Sequence, residues 1–408
     1  MSPRDPSQQT QPQPASARAK LSRAMRGLTT GLAADTAHGA VVPPVYLSSN
    51  YAYEEFGQRP NFDYSRGGNP TRALLQDALA TLEGGAGATV TASGMAAIGL
   101  VIETFVPIGG HVVAPHDCYG GTWRILDTWA TRGRLSVDWV DQTDLDDLRE
   151  ALTRPTDLLL VETPSNPLLR VTDIAAAADI AHRSTPTPGR TVVAVDNTFC
   201  SPVLQHPLGL GADLAVASDT KFLNGHSDVV GGSVVAAGTE DAEALAYLAN
   251  VTGVTASPVD CWLTLRGLRT LAARMRTHCD NARAMVEVLT GHRAVRAVHW
   301  PGLPDHPGHD LALRQQEDFG SLLSFELAGV EAVRAFMTGL EGFILAESLG
   351  GVESLVCHPA TMTHAAMTQA ARDAAGVTDA MIRMSPGIEP ADDLAACLTE
   401  ALDRAAAA

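Results

Sequence analysis

Only two of the 29 basic residues are lysines, Lys20 and Lys221; every other cation is an arginine. Arginine neither forms a Schiff base nor gives up its proton near neutrality, and lysine does both. Lys221 follows an apolar run, Ala215-Val216-Ala217-Ser218-Asp219-Thr220-Lys221. Two other apolar runs end in polar groups: Val193-Ala194-Val195-Asp196-Asn197-Thr198 and Leu160-Val161-Glu162-Thr163-Pro164-Ser165-Asn166-Pro167. In open α/β sheets, ligands sit outside the carboxyl ends of the strands. Asp196 and Lys221 are therefore expected at one crevice. The plainer alternatives are a turn-forming aspartate and a solvated loop lysine. Lysine scarcity and the Ser218/Thr220 flank weigh against the second.

Gly94-Met95-Ala96-Ala97 opens a helix directly after a strand. Small residues there let an anion approach free N–H groups at the helix start, although tight packing alone would also select them. The usual dinucleotide and P-loop glycine fingerprints are missing. What remains is a phosphate cradle, a lysine and an aspartate. A pyridoxal phosphate site needs these parts: a Schiff-base lysine, an acid at the pyridine nitrogen and a phosphate cup.

These residues need a large scaffold. The chain has 408 residues, 45% hydrophobic and 18% charged, enough for two or three domains with sizeable cores. Its net charge of −17 and lack of basic runs argue against nucleic acid and anionic membranes as partners. The six cysteines are scattered with no C-x-x-C, which reads as reduced thiols in a cytoplasmic protein. No metal-ligand spacing is evident. Gly84 to Ile102 carries no charge, but its five glycines suit a strand (Ala88–Thr91), a turn and a buried helix (Met95–Phe105) better than a membrane span.

Residues 1–20, rich in Ser, Gln and Pro, read as a flexible tail, and 21–62 as an extended arm with little helical period. From 63 to 275, short apolar strands alternate with helices. The strands are expected at His111–Ala114, Leu135–Val140, Asp157–Val161, Thr191–Val195 and Asp213–Ala217. The intervening helices are Gly121–Arg132, Leu145–Leu152 and Ile174–Arg183. That alternation signals a mainly parallel sheet covered on both faces. Val229–Ala237 is a further strand, with antiparallel pairing open to it. One helical stretch over about 258–290 leads into a smaller α+β unit spanning 276–408, which ends in a helix from Leu394 to about Ala405.

A resemblance covers residues 25 to 404. Its motifs are Phe62-Asp63-Tyr64-Ser65-Arg66-Gly67-Gly68-Asn69-Pro70-Thr71, Ala92-Ser93-Gly94-Met95-Ala96-Ala97, His116-Asp117-Cys118-Tyr119-Gly120-Gly121 and the three strand endings above, extended to His226. Glu347-Ser348-Leu349-Gly350-Gly351-Val352-Glu353-Ser354 adds another. Together they resemble the transsulfuration (Cys/Met metabolism) family of pyridoxal phosphate enzymes, and within it the bacterial γ-synthases. The resemblance implies the type I, aspartate aminotransferase-like fold, with a mainly parallel seven-stranded sheet and a smaller C-terminal α+β domain.

It also implies roles. Lys221 would carry the cofactor as a Schiff base and shuttle protons, and Asp196 would keep the pyridine nitrogen protonated. Tyr119 would stack on the ring and assist proton transfer. Gly94, Met95, Ser218 and Thr220 would hold the phosphate, with Tyr64 and Arg66 reaching in from the neighbouring subunit of a homotetramer built as a dimer of dimers. Arg383 would grip the substrate carboxylate, supported by Ser348 and Asn166. Glu347 would act near the γ-position or the incoming amino group. The implied reaction is γ-replacement on an O-acylated homoserine by L-cysteine, through a vinylglycine-type intermediate. Cystathionine γ-lyase chemistry, or a γ-replacement with another nucleophile, is the alternative.

Two positions depart from the pattern. Gly67 stands where related succinyl-ester enzymes can carry a second arginine, which leaves Arg124 as the candidate for a distal carboxylate and the ester open. Pro386 follows Ser385 where a small or hydroxyl residue is usual. Gly121 stands where methionine γ-lyases carry cysteine, which disfavours that branch.

Overall fold

The computed structural model describes residues 21–184 and 189–408. The expected tail over 1–20, with Lys20, lies outside the described residues. The larger sheet has seven strands: β1 (Gly87–Thr91), β2 (Gly110–Pro115), β3 (Leu135–Val140), β4 (Leu158–Glu162), β5 (Val192–Asp196), β6 (Leu214–Ala217) and β7 (Gly232–Ala236). Their order is β1-β7-β6-β5-β4-β2-β3, and every pairing is parallel except the two made by β7. The open question about the Val229–Ala237 segment is thus settled as antiparallel. It is also shorter than expected, because Val229 to Gly231 turn back toward Thr220.

The strands are apolar because both faces are covered. Alternate residues of neighbouring strands show this. Leu158, Leu160, Val192 and Ala194 pack beneath the Gly94–Phe105 helix, whereas Leu159, Val161, Val193 and Val195 pack beneath the Leu145–Ala151 and Ile174–Arg183 helices. Helix starts follow local capping. The Ser93 hydroxyl accepts from Ala96 N–H and the Asp173 carboxylate from Ala176 N–H, each satisfying one donor that the first turn leaves free.

The stretch read as one helix over 258–290 is two, Pro258–Leu268 and Leu271–Gly291. The break follows Leu268, where the Thr270 N–H bonds Gly267 O and closes a tight turn. The second helix runs through the expected boundary at 275/276. Its first half, with Met275 and Cys279, belongs to the core of the large sheet, and its second half, from Ala282, to that of the small one. The expected arm over 21–62 contains one short helix, Arg23–Leu28, capped by Ser22. Its remainder is irregular and exposes Val41, Leu47, Tyr53 and Phe56.

The smaller sheet is β8 (Ala297–His299), β9 (Leu323–Glu326), β10 (Ile344–Leu345), β11 (Leu355–Cys357) and β12 (Met381–Ser385), in the order β10-β11-β12-β9-β8. The C-terminal helix, Ala391–Ala406, covers its core. No helix among the described residues is long and apolar enough to cross a membrane.

Candidate active site

A cavity of about 330 Å³ opens at the carboxyl ends of β4, β5 and β6, against the smaller sheet. Glu162 and Asp196 are the last residues of adjacent parallel strands and lie in register. β6 ends at Ala217, and the chain turns at once through Ser218 to Lys221. Two elements hold that turn. The Ser218 N–H donates to Thr198 Oγ1 at 2.9 Å, and the buried Arg274 donates to Phe222 O at 2.8 Å.

Lys221 Nζ donates to Ser348 Oγ at 2.7 Å. Burial, then the charge of Arg383, lowers the Lys221 amine to about 8, against the pull of Glu347. Near pH 8 a substantial share of the amine is neutral, the form that attacks a carbonyl carbon. Asp196 is desolvated, which raises its carboxyl, while its Oδ1 accepts from the Thr198 N–H at 3.0 Å.

Arg383 lies in β12 and is buried. Its Nη1 donates to Asn166 Oδ1 at 3.1 Å and its Nη2 to Ser348 O at 2.7 Å. Its buried Nε has no hydrogen-bond partner. Ser348 holds a left-handed φ of 88°, unusual for a residue with a Cβ. That strain sits where one residue serves both Lys221 and Arg383.

Tyr119 precedes the Gly120–Thr131 helix and lines the cavity, with burial and then Glu347 raising its phenol. Gly121 makes room for it, since a Cβ at 121 would lie 2.5 Å from the Tyr119 ring. Gly94, Met95, Ser218 and Thr220 line the cavity as well. The Thr220 hydroxyl is already engaged there, accepting from Gly231 N–H at 3.0 Å and donating to Gly231 O at 3.2 Å. Glu347, exposed in the loop after β10, stands at the rim.

Three of the expected residues do not line this chain's own cavity; for two of them, Tyr64 and Arg66, the resemblance implies the neighbouring subunit's site instead. Tyr64 is exposed, and Arg66 donates to Asn250 O at 3.0 Å with its guanidinium 5.9 Å from the Tyr64 ring. Arg124 is exposed and does not line the cavity, although its charge reaches Tyr119 and pulls that phenol down against the rise. Conversely, Glu162 and Thr363 line the cavity and carry no role from the motifs. A carboxylate ending the apolar run Leu158–Val161 is the one signal that marks Glu162.

The cavity fits pyridoxal phosphate. The Ser93 cap leaves the Gly94 and Met95 N–H groups without a partner inside their helix, facing the space beside Ser218. A Cβ at Gly94 would fill that space, 2.8 Å from Ser218 Cβ. A desolvated carboxyl, Asp196, and a partly neutral lysine amine, Lys221, line the same cavity. Residues 26–403 match the model of the family described as "Cys/Met metabolism PLP-dependent enzyme". Cystathionine γ-synthase of Escherichia coli is 52% identical over 370 residues, 90% of this chain and 95% of that protein. Cystathionine β-lyase of Lactococcus lactis is 43% identical over 374 residues, 92% of this chain and 97% of that one. The crystal structure of cystathionine γ-synthase from Xanthomonas oryzae, with aminoacrylate and cysteine, superposes with a TM-score of 0.92 at 52% identity, covering 95% of this chain and 99% of its own. The chain belongs to the Cys/Met metabolism family of pyridoxal phosphate-dependent enzymes.

Proposed function

We propose that this chain is a cystathionine γ-synthase, replacing the γ-acyloxy group of an O-acylated homoserine with the sulfur of L-cysteine. The observation that carries the reading is the bridge at Ser348, which holds a proton-carrying amine, Lys221, beside a carboxylate anchor, Arg383. The similarity to γ-synthases, at 52% against 43% for a β-lyase, favours replacement over elimination. Pyridoxal phosphate, when bound, supplies the electron sink that makes the substrate's Cα and Cβ hydrogens acidic.

Arg383, held by Asn166, binds the α-carboxylate through its planar donor face. With the cofactor bound, Lys221 would take the Cα proton, pass it to the cofactor before taking one from Cβ, and return protons in the reverse order. The Cγ–O bond breaks with loss of a carboxylate, and a Cγ–S bond forms to the cysteine thiolate. Asp196 holds the ring nitrogen, and Gly94, Met95, Ser218 and Thr220 hold the phosphate. Tyr119 covers the ring, and Glu347 meets the incoming amino group at the rim. Tyr64 and Arg66, lying outside their own chain's cavity, serve the partner's site in a homotetramer, with the exposed apolar arm at the contact. Six unpaired cysteines agree with a cytoplasmic location.

The test is product identification. Purified holoenzyme is incubated with O-succinyl- or O-acetylhomoserine, with and without cysteine, and in parallel with cystathionine alone. Cystathionine formation supports the synthase. Release of cysteine and 2-oxobutyrate from cystathionine, with no synthesis, identifies a γ-lyase. Release of homocysteine and pyruvate identifies a β-lyase.

A further inference from the structure

Glu162 ends β4, buried beside the cavity and paired in register with Asp196. Its two oxygens go to two different walls. Oε2 accepts from the Tyr119 N–H at 2.8 Å, and Oε1 accepts from the Asn166 N–H at 3.1 Å. Tyr119 caps a helix with no side-chain bond of its own, so the carboxylate takes up a donor at that helix start and meets the positive end of its dipole. Asn166 is gripped on its other side as well. Its carbonyl accepts from His364 Nε2 at 3.0 Å, and its side-chain oxygen accepts from Arg383.

We propose that Glu162 is a positioning residue, a single carboxyl group that sets the aromatic wall at Tyr119 against the carboxylate anchor of Asn166 and Arg383. This rests on the roles proposed above for Tyr119 and Arg383. The geometry demands two acceptor atoms on one side chain, 43 residues from one donor and four from the other. Glutamine offers only one acceptor, because its amide nitrogen would face an N–H donor. Aspartate is one methylene shorter and cannot reach both loops. Burial first, and then the neighbouring Asp196 carboxyl, push the Glu162 carboxyl well above the usual carboxylate range, and the two N–H bonds counter this. That is the cost of keeping a carboxyl group where an amide would be cheaper to bury.

The test uses Glu162→Gln and Glu162→Asp holoenzymes with three readouts. The first is the dissociation constant of L-norvaline, an amino acid without a leaving group, from the visible spectrum. The second is the visible circular dichroism per bound cofactor, and the third the melting temperature. Loss of one hydrogen bond at a charged anchor predicts norvaline binding about tenfold weaker in Glu162→Gln, with reduced dichroism. Binding within about twofold of wild type together with unchanged dichroism would overturn the proposal, whatever the melting temperature does. Arg383→Lys and Tyr119→Ala are run alongside. If Arg383→Lys binds norvaline like wild type, the anchor assignment itself is wrong, and the dichroism then decides the Tyr119 half alone.

Discussion

Lys221 and Ser348 meet at 2.7 Å, amine to hydroxyl, across 127 residues of sequence. The carbonyl of the same serine accepts from Arg383, so one strained residue joins the amine to the anchor. Ser348→Gly removes the hydroxyl and relieves the backbone at φ 88°. Turnover should fall about tenfold, while stability holds or rises by up to about 1 kcal/mol. Steady-state kinetics and denaturant titration check the two halves.

Lys221→Ala should abolish turnover and leave the cofactor bound without a covalent link. Borohydride reduction followed by denaturing chromatography should retain the cofactor on wild type and release it from the variant. Full activity in the variant would remove Lys221 from the chemistry.

Gly94→Ala tests the phosphate cup. The added methyl would sit 2.8 Å from Ser218 Cβ and 3.0 Å from its hydroxyl. Crowding of this kind costs about 1–3 kcal/mol, so pyridoxal phosphate should bind about ten- to a hundredfold more weakly. Fluorescence titration of the cofactor-free protein measures it.

Glu83 should make stability depend on pH. Burial raises its carboxyl from 4.5 to about 7, against the Asn197 hydrogen bond and the charge of Arg23. The folded chain then holds more protons than the unfolded one between those values. Its contribution is complete below pH 4.5 and is lost as pH rises through about 7. Glu83→Gln should therefore match wild type near pH 4.5 and exceed it by about 3 kcal/mol near pH 8. Denaturant titrations at the two pH values decide it.

Much of this site was legible because strand ends and helix starts are local. Apolar runs ending in Asp196 and Ser218–Lys221, and a glycine opening a helix after β1, locate the ligand crevice by period and punctuation alone. Arg124 shows the limit. Its type suits a carboxylate, but residue type alone does not say that its side chain stays exposed and off the cavity wall. Glu162 shows the converse: Asn166 lies four residues on, but only folding brings the Tyr119 N–H, 43 residues away, to its other oxygen.

The sequence by itself determined the class of sheet, the positions of its strand ends and the family, because these follow from residue type, order and short-range spacing. Tertiary structure alone decided how Lys221, Ser348, Asn166 and Arg383 come together. Their contacts span 35 to 217 residues, and no local pattern encodes a distance between groups that far apart.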